Sequence, residues 1–357
     1  MNKVKVGIAG LGRLGAVHAE NIAFKIPGAQ LMAACSVVDA ELDYARNELG
    51  AQEVYRDFKQ MLEQADIDAV AIVTPNTEHC RQITDAILAG KHVFSDKPLG
   101  VSIEECRQVK RTIAECPEKV FFLGFMRRYD PSYAYAKQKI AEGKIGVPYL
   151  VKATSLDPEA VVAGCIRYSA SSGGIFIDSG SHDIDLMRWF LGSDVTEVFA
   201  AGTTVKHMEF QDVGDCETGC VIYRFANGSL GMGHSGRIAP HGYHIETEII
   251  GTEGHIRIGS IPEKNEAMLY NKDGAVVECV ENFPQRFKEA YLLEMQEFIS
   301  CIQEGRKPGV TAEDGVKAIE TAYAVTQSFR EGRPVTLSDH PYTNSQGVPC
   351  STAKQRR

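Results

Sequence analysis

Apolar positions in the first third of the chain come in short runs that alternate with helical stretches. "KVKVGIAG" (3–10) reads as a Val/Ile-rich strand. "AVHAENIAFKI" has helical periodicity and stops at Pro27-Gly28. "AQLMAACSV" is a second strand, "ELDYARNELG" a helix ended by Gly50, and "DFKQMLEQ" another short helix. "IDAVAIVTP" is continuously apolar, the signature of a strand covered on both faces. "HCRQITDAILAG" is a helix with Gly90 past its end, "KHVFSDKP" a strand and loop, and "SIEECRQVKRTIAEC" a further helix before the strand "KVFFLGF". Strict β/α alternation with short connections predicts an α/β Rossmann-like domain, a doubly wound parallel sheet over residues 1–124.

The rhythm changes near residue 125. "YAYAKQKIAEG" and residues 179–191 read as helices. From "TEVFAAGTTV" to "AVVECVE" the pattern is strand-like, with turns at Asn227-Gly228, Gly251-Thr252-Glu253-Gly254 and Lys272-Asp273-Gly274. Residues 125–335 are therefore expected to form a C-terminal α+β domain with a large open, mostly antiparallel sheet. Two helices close it, the first with Leu292, Met295, Phe298, Ile299 and Ile302 on one stripe, and they could return to the first domain. Residues 336–357, polar and broken by Pro and Gly, read as a mobile tail.

Composition narrows the function. With 38 Lys+Arg against 47 Asp+Glu the net charge is −9, which argues against nucleic acid or an acidic membrane as partner. No apolar run is long enough to span a bilayer, and "MNKVKVGIAG" does not read as a signal peptide. None of the ten cysteines forms a CxxC pair, so free thiols in a reducing cytoplasm are expected.

Candidate chemistry begins at Gly10-x-Gly12-x-x-Gly15, placed between a strand and a helix as a dinucleotide loop requires. Gly10 permits the tight turn, Gly12 lets backbone approach a pyrophosphate, and Gly15 lets helix and strand pack closely. Arg13 and Leu14 lie within the loop. The second strand of such a domain ordinarily ends in an acid for the adenosine ribose, but here Ser36 holds that place and Asp39 lies three residues on. No Arg directly follows Ser36 to receive a 2′-phosphate, so NAD is favoured with NADP left open. "VTPNTEHC" puts Thr74, Pro75, Asn76 and His79 at the carboxyl edge of the sheet, at cofactor height, although His79 could equally be a helix-start residue.

Lys97 follows Asp96 in "FSDKPLG", at the edge where a nicotinamide would end. Further on, "FIDSGSHDIDLMRWFLG" sets Asp178, His182 and Asp185 at i, i+4 and i+7 on one helix face, opposite Ile184, Met187, Phe190 and Leu191. A helix cap is the competing reading of Asp178. A metal site is disfavoured, because no third His or Cys has matching spacing. The order GxGxxG, [E/D]-K-P, D-x3-H-x2-D resembles the glucose–fructose oxidoreductase and inositol dehydrogenase family, Gfo/Idh/MocA, over roughly residues 3–335. Asp96 stands where that motif more usually has Glu. "GFMRRYD", "GGIFIDSGSHDIDLMRWF" and "GYHIETEIIG" resemble its inositol 2-dehydrogenase branch.

That resemblance implies an oxidoreductase moving a hydride from a secondary hydroxyl of myo- or scyllo-inositol to NAD, in a homotetramer formed through the open sheet. Lys97, Asp178 and His182 would be catalytic: His182 as base, Asp178 supporting it, Lys97 stabilising alkoxide character. Asp185 would orient His182 or face solvent. Arg127, Asp157, Tyr243 and His241 would line a polyol pocket. An aldose dehydrogenase of the same family is the alternative enzyme, and a non-catalytic dinucleotide sensor the alternative class.

Overall fold

The computed structural model describes residues 3–259, 263–272 and 274–337. Two compact units are present, one built from the residues up to Tyr129 with Glu289–Ile319, the other from Asp130–Lys288 with the segment that starts at Glu320.

The first unit alternates strands and helices: β1 (Val4–Ala9), α1 (Arg13–Glu20), β2 (Ala29–Cys35), α2 (Asp39–Asn47), β3 (Glu53–Tyr55), α3 (Phe58–Gln64), β4 (Ala69–Ile72), α4 (His79–Leu88), β5 (His92–Asp96), α5 (Ile103–Glu115) and β6 (Phe121–Gly124). All pairings are parallel and the order is β3-β2-β1-β4-β5-β6. The order reverses between β1 and β4, and loops after these strands open the crevice where such sheets bind ligands. The apolar runs mean what they appear to: Ala69, Val70, Ala71 and Ile72 of β4 are fully buried. Ser102 and Asp57 cap α5 and α3 by accepting from Glu105 N and Gln60 N.

The second unit contains α6 (Pro131–Ala141), β7 (Pro148–Pro158), α7 (Val162–Ser172), α8 (Ile175–Asp178), α9 (Gly180–Leu191), β8 (Val195–Thr203), α10 (Glu209–Asp212), β9 (Thr218–Phe225), β10 (Leu230–Ala239), β11 (His244–Gly251), β12 (Gly254–Ile258), β13 (Glu263–Asn271), β14 (Gly274–Cys279) and α11 (Phe283–Arg286). Then come α12 (Lys288–Glu304), α13 (Ala312–Glu331) and β15 (Val335–Thr336). The large sheet runs β12-β11-β7-β10-β9-β8-β15, and β13 and β14 form a separate hairpin. Every pairing in the large sheet is antiparallel except β7 with β10. β7 and α7 are not signalled by periodicity. Thr336 belongs to edge strand β15 rather than to a tail, and the tail expected over 336–357 lies, from residue 338, outside the described residues.

The stripe on α12 is used within the first unit: Met295, Phe298 and Ile299 share one core with Val6, Ile8, Ala71 and Phe94. Arg128 pairs with Asp314 at 3.1 Å and donates to the Gly309 carbonyl at 3.1 Å, fixing the residues after β6 to the start of α13. In the second unit, one face of the large sheet stays open. Phe199, Ile222 and Met232 are directly opposed across β8, β9 and β10 and are 41%, 50% and 47% exposed. Among the described residues no helix is long and apolar enough to cross a membrane.

Candidate active site

The glycine loop shows each glycine doing different work. Gly10 has φ +85°, a conformation side chains avoid, and its amide donates to the Cys35 carbonyl at 2.9 Å. A Cβ on Gly15 would stand 2.1 Å from the Gly10 carbonyl oxygen, so only glycine lets α1 pack this close to the loop. A Cβ on Gly12 would meet nothing within 4 Å. Gly12 is therefore not required by packing, and the space before it is what a pyrophosphate at the start of α1 needs. Arg13 is exposed and Leu14 partly buried beside it.

Ser36 directly follows β2, and its hydroxyl donates to the Glu41 carboxylate and accepts from Val38 N at 3.0 Å. The nearest acid to Ser36 in the structure is in the first turn of α2. Glu41, five residues past Ser36, offers a carboxylate for a ribose hydroxyl and would repel a 2′-phosphate. Its only signal in the sequence is an acidic helix start. Asp39 pairs with Arg56 at the end of β3, an arginine that proximity in sequence does not reveal.

After β4, Pro75 is exposed while Asn76 is 7% exposed, and Asn76 Nδ2 has no hydrogen-bond partner among the described residues. A buried amide donor left over at this edge suits a bound polar group. Thr74 donates to Gln82 Oε1 at 2.6 Å. His79 turns inward at 1% exposure, its Nδ1 2.7 Å from the Pro98 carbonyl and its Nε2 2.9 Å from the Thr74 carbonyl. Both nitrogens thus face protein groups, so the ring holds loops rather than reaching for a ligand. Asp96 and Lys97, both half-buried, sit where β5 ends, and the Lys97-Pro98 peptide is cis. Loops carrying Gly12, Asn76 and Lys97 therefore leave the same edge of one sheet.

In the second unit Asp178 closes α8 and His182 lies on α9, with only Ser179 between the two helices. The α8 start is capped from afar, Ile175 N donating to Asp215 Oδ1 at 3.1 Å. His182 is 8% and Asp185 1% exposed; Asp185 does not face solvent. The apolar side is buried as its pattern requires, Ile184, Met187, Phe190 and Leu191 all below 8% exposure. Asp183 accepts from Ser155 Oγ of β7 at 2.9 Å, which fixes α9 to the sheet two residues before Asp157.

Arg127 is 3% exposed just after β6. Tyr243 is 6% exposed and packs edge-on to Phe287 with ring centroids 6.4 Å apart. His241 goes elsewhere. It is exposed and lies 3.2 Å from His244 Nδ1, in a chain that continues to Glu246. His244 and Glu246 alternate with buried Ile245, which puts this chain on the sheet face opposite Tyr243. Among the described residues no group of three His, Cys, Asp or Glu could hold a metal ion.

Comparison with known proteins decides the family. Residues 4–125 match the model of the oxidoreductase family's NAD-binding Rossmann fold, and residues 137–337 match that family's C-terminal alpha/beta domain. The chain belongs to the Gfo/Idh/MocA oxidoreductase family. Members similar to it include the scyllo-inositol 2-dehydrogenase (NAD(+)) of Bacillus subtilis, 37% identical over 94% of this chain and 97% of that one. Another is the myo-inositol 2-dehydrogenase of Thermotoga maritima, 33% identical over 94% of this chain and 99% of that one. The scyllo-inositol dehydrogenase of Lactobacillus casei, solved with bound NAD(H) and scyllo-inositol, superposes with a TM-score of 0.91. It is 45% identical and the match covers 94% of this chain and 100% of that one. For this family member, the open space at Gly12, the spare amide of Asn76 and the Glu41 carboxylate fit NAD.

Proposed function

We propose that the chain oxidises a secondary hydroxyl of a cyclic polyol, an inositol, with NAD, giving the 2-keto-inositol. Bound NAD supplies the hydride acceptor. His182 accepts the hydroxyl proton, a task suited to an imidazole whose ordinary pKa lies near neutrality. Asp178, four residues earlier at the end of α8, steadies the imidazolium that results. Lys97 places an ammonium by the reacting oxygen and stabilises its alkoxide character. Arg127, Asp157 and Tyr243 supply donors and acceptors for the remaining hydroxyls of the ring.

The observation that carries this reading is the Lactobacillus casei relative, which at 45% identity holds NAD(H) and scyllo-inositol. Scyllo-inositol ranks ahead of myo-inositol because the Lactobacillus plantarum myo-inositol 2-dehydrogenase structure is 36% identical. The test is NADH formation over a panel of inositols and aldoses, with NAD and NADP in parallel. Lys97→Met and His182→Ala should each lose on the order of 10²–10⁴-fold in kcat, with NAD affinity nearly unchanged. Normal turnover in either variant, or preference for an aldose, overturns the assignment.

Copies of the chain associate through the open sheet face into a homotetramer in this reading, supported by the exposed apolar row Phe199, Ile222 and Met232. A reducing cytoplasm is supported by the cysteines among the described residues, all of them free thiols. Light scattering should give four times the 39.1 kDa chain mass, and Ile222→Asp should lower it.

A further inference from the structure

Two carbonyl oxygens face the two nitrogens of one buried ring. His79 Nδ1 lies 2.7 Å from the Pro98 oxygen and Nε2 2.9 Å from the Thr74 oxygen. A carbonyl only accepts, and a neutral imidazole carries a single N–H. Only the imidazolium can donate to both at once. Burial, with the nearby Lys97 ammonium, holds its pKa below the ordinary value, although the two carbonyls and Glu78 favour protonation.

The two carbonyls belong to the loop after β4 and the loop that carries Lys97. The same first turns of α4 grip both loops again. Gln82 accepts from the Thr74 hydroxyl at 2.6 Å, and Cys80 Sγ donates to the Leu99 carbonyl at 3.5 Å. A Cβ on Gly100 would come within 2.2 Å of Cys80 Sγ, so the loop lies hard against the helix. The backbone on either side of Lys97's neighbour Pro98 therefore has little freedom once His79 is in place.

We infer that His79 is a positioning residue for Lys97: its ring ties the Pro98 carbonyl to the turn at Thr74 and so sets where the Lys97 ammonium stands. The inference rests on the catalytic reading of Lys97 given above. A displacement of about 1 Å in such a group can cost up to about 100-fold in rate. His79→Phe keeps the ring's bulk and removes both nitrogens, and His79→Asn restores one donor. The Phe variant should lose about 10- to 100-fold in kcat, with KM for inositol and Kd for NAD changed less than about threefold. Its pH–rate profile should shift, and the Asn variant should recover part of kcat.

Wild-type kcat and an unmoved pH profile in a folded Phe variant would overturn the inference. So would a loss confined to KM and melting temperature. Should the Phe variant not fold, nitrogen NMR of the wild-type ring decides: an exchange-protected N–H on the nitrogen facing Pro98 is expected, and its absence overturns the inference. Lys97→Met run alongside separates the two levels. Normal turnover there removes the catalytic reading itself, whereas an inactive Lys97→Met beside a fully active His79→Phe removes only the role of His79.

Discussion

Gly15 and Gly12 sit three residues apart in one loop, yet alanine at each should fail in a different assay. A methyl on Gly15 would lie 2.1 Å from the Gly10 carbonyl oxygen and 2.8 Å from its carbon. Ordinary carbon–oxygen approach is about 3.3 Å at closest, so backbone must yield by roughly 1 Å against β1 and α1. Overpacking of this kind costs about 3 kcal/mol, which for a domain this size lowers the melting temperature by about 6–12 °C. Gly12 has φ −63° and nothing within 4 Å of its Cβ position. There alanine is conformationally acceptable and should change stability by less than about 1 kcal/mol, while its methyl takes space the pyrophosphate needs. NAD affinity should fall at least about tenfold, equal to about 1.4 kcal/mol. Calorimetry without ligand and an NAD titration of both variants check this. A Gly12→Ala protein that binds NAD normally, or a Gly15→Ala protein with wild-type melting, would refute the division of labour.

Coenzyme choice should turn on Glu41: Glu41→Gln is expected to raise the NADP-to-NAD ratio of kcat/KM about tenfold by removing repulsion of the 2′-phosphate, and an unchanged ratio refutes it. His18 is wholly buried, 3.7 Å from the equally buried Glu294, and burial holds its pKa down to about 3. The folded ring stays neutral while the unfolded chain gains a proton below about pH 6.5, so the His18 contribution to stability should fall by about 2.5 kcal/mol between pH 7 and 4.5, against an opposite contribution from Glu294, whose pKa burial raises. His18→Leu should change the pH slope of stability by that amount relative to wild type in urea melts, and parallel slopes would sink the argument. Arg237 and Asp215, 1% and 8% exposed, pair at 2.8 Å. Arg237→Met should cost about 3–5 kcal/mol by leaving a buried carboxylate without its counter-ion, and a loss under about 1 kcal/mol would contradict this.

Much of the site is a local property of the chain. Alternating runs specify strands covered on both faces, and glycines at 10, 12 and 15 specify a turn that only small residues can make. Spacing alone predicts Asp178, His182 and Asp185 on one helix face, since a helix repeats every 3.6 residues, whereas in the structure Asp178 ends α8 and the other two lie on α9. What those faces meet is another matter. Asp185 looked as though it could be solvent-facing and is 1% exposed. Asp215 caps α8 from forty residues away, a bond no spacing rule contains. His241 and Tyr243 are two positions apart, yet His241 joins His244 on the far face because the strand proper begins only at His244. Ser36 follows β2 as the spacing requires but is hydrogen-bonded to Glu41, and His79 turns inward because two loops bring carbonyls to both its nitrogens. The sequence by itself determined which residues share a face and where the chain turns, because backbone sterics and side-chain period act over a few residues. The partners of each polar group were left to the tertiary structure, because a hydrogen bond or ion pair depends on atoms that only long-range packing brings within about 3 Å.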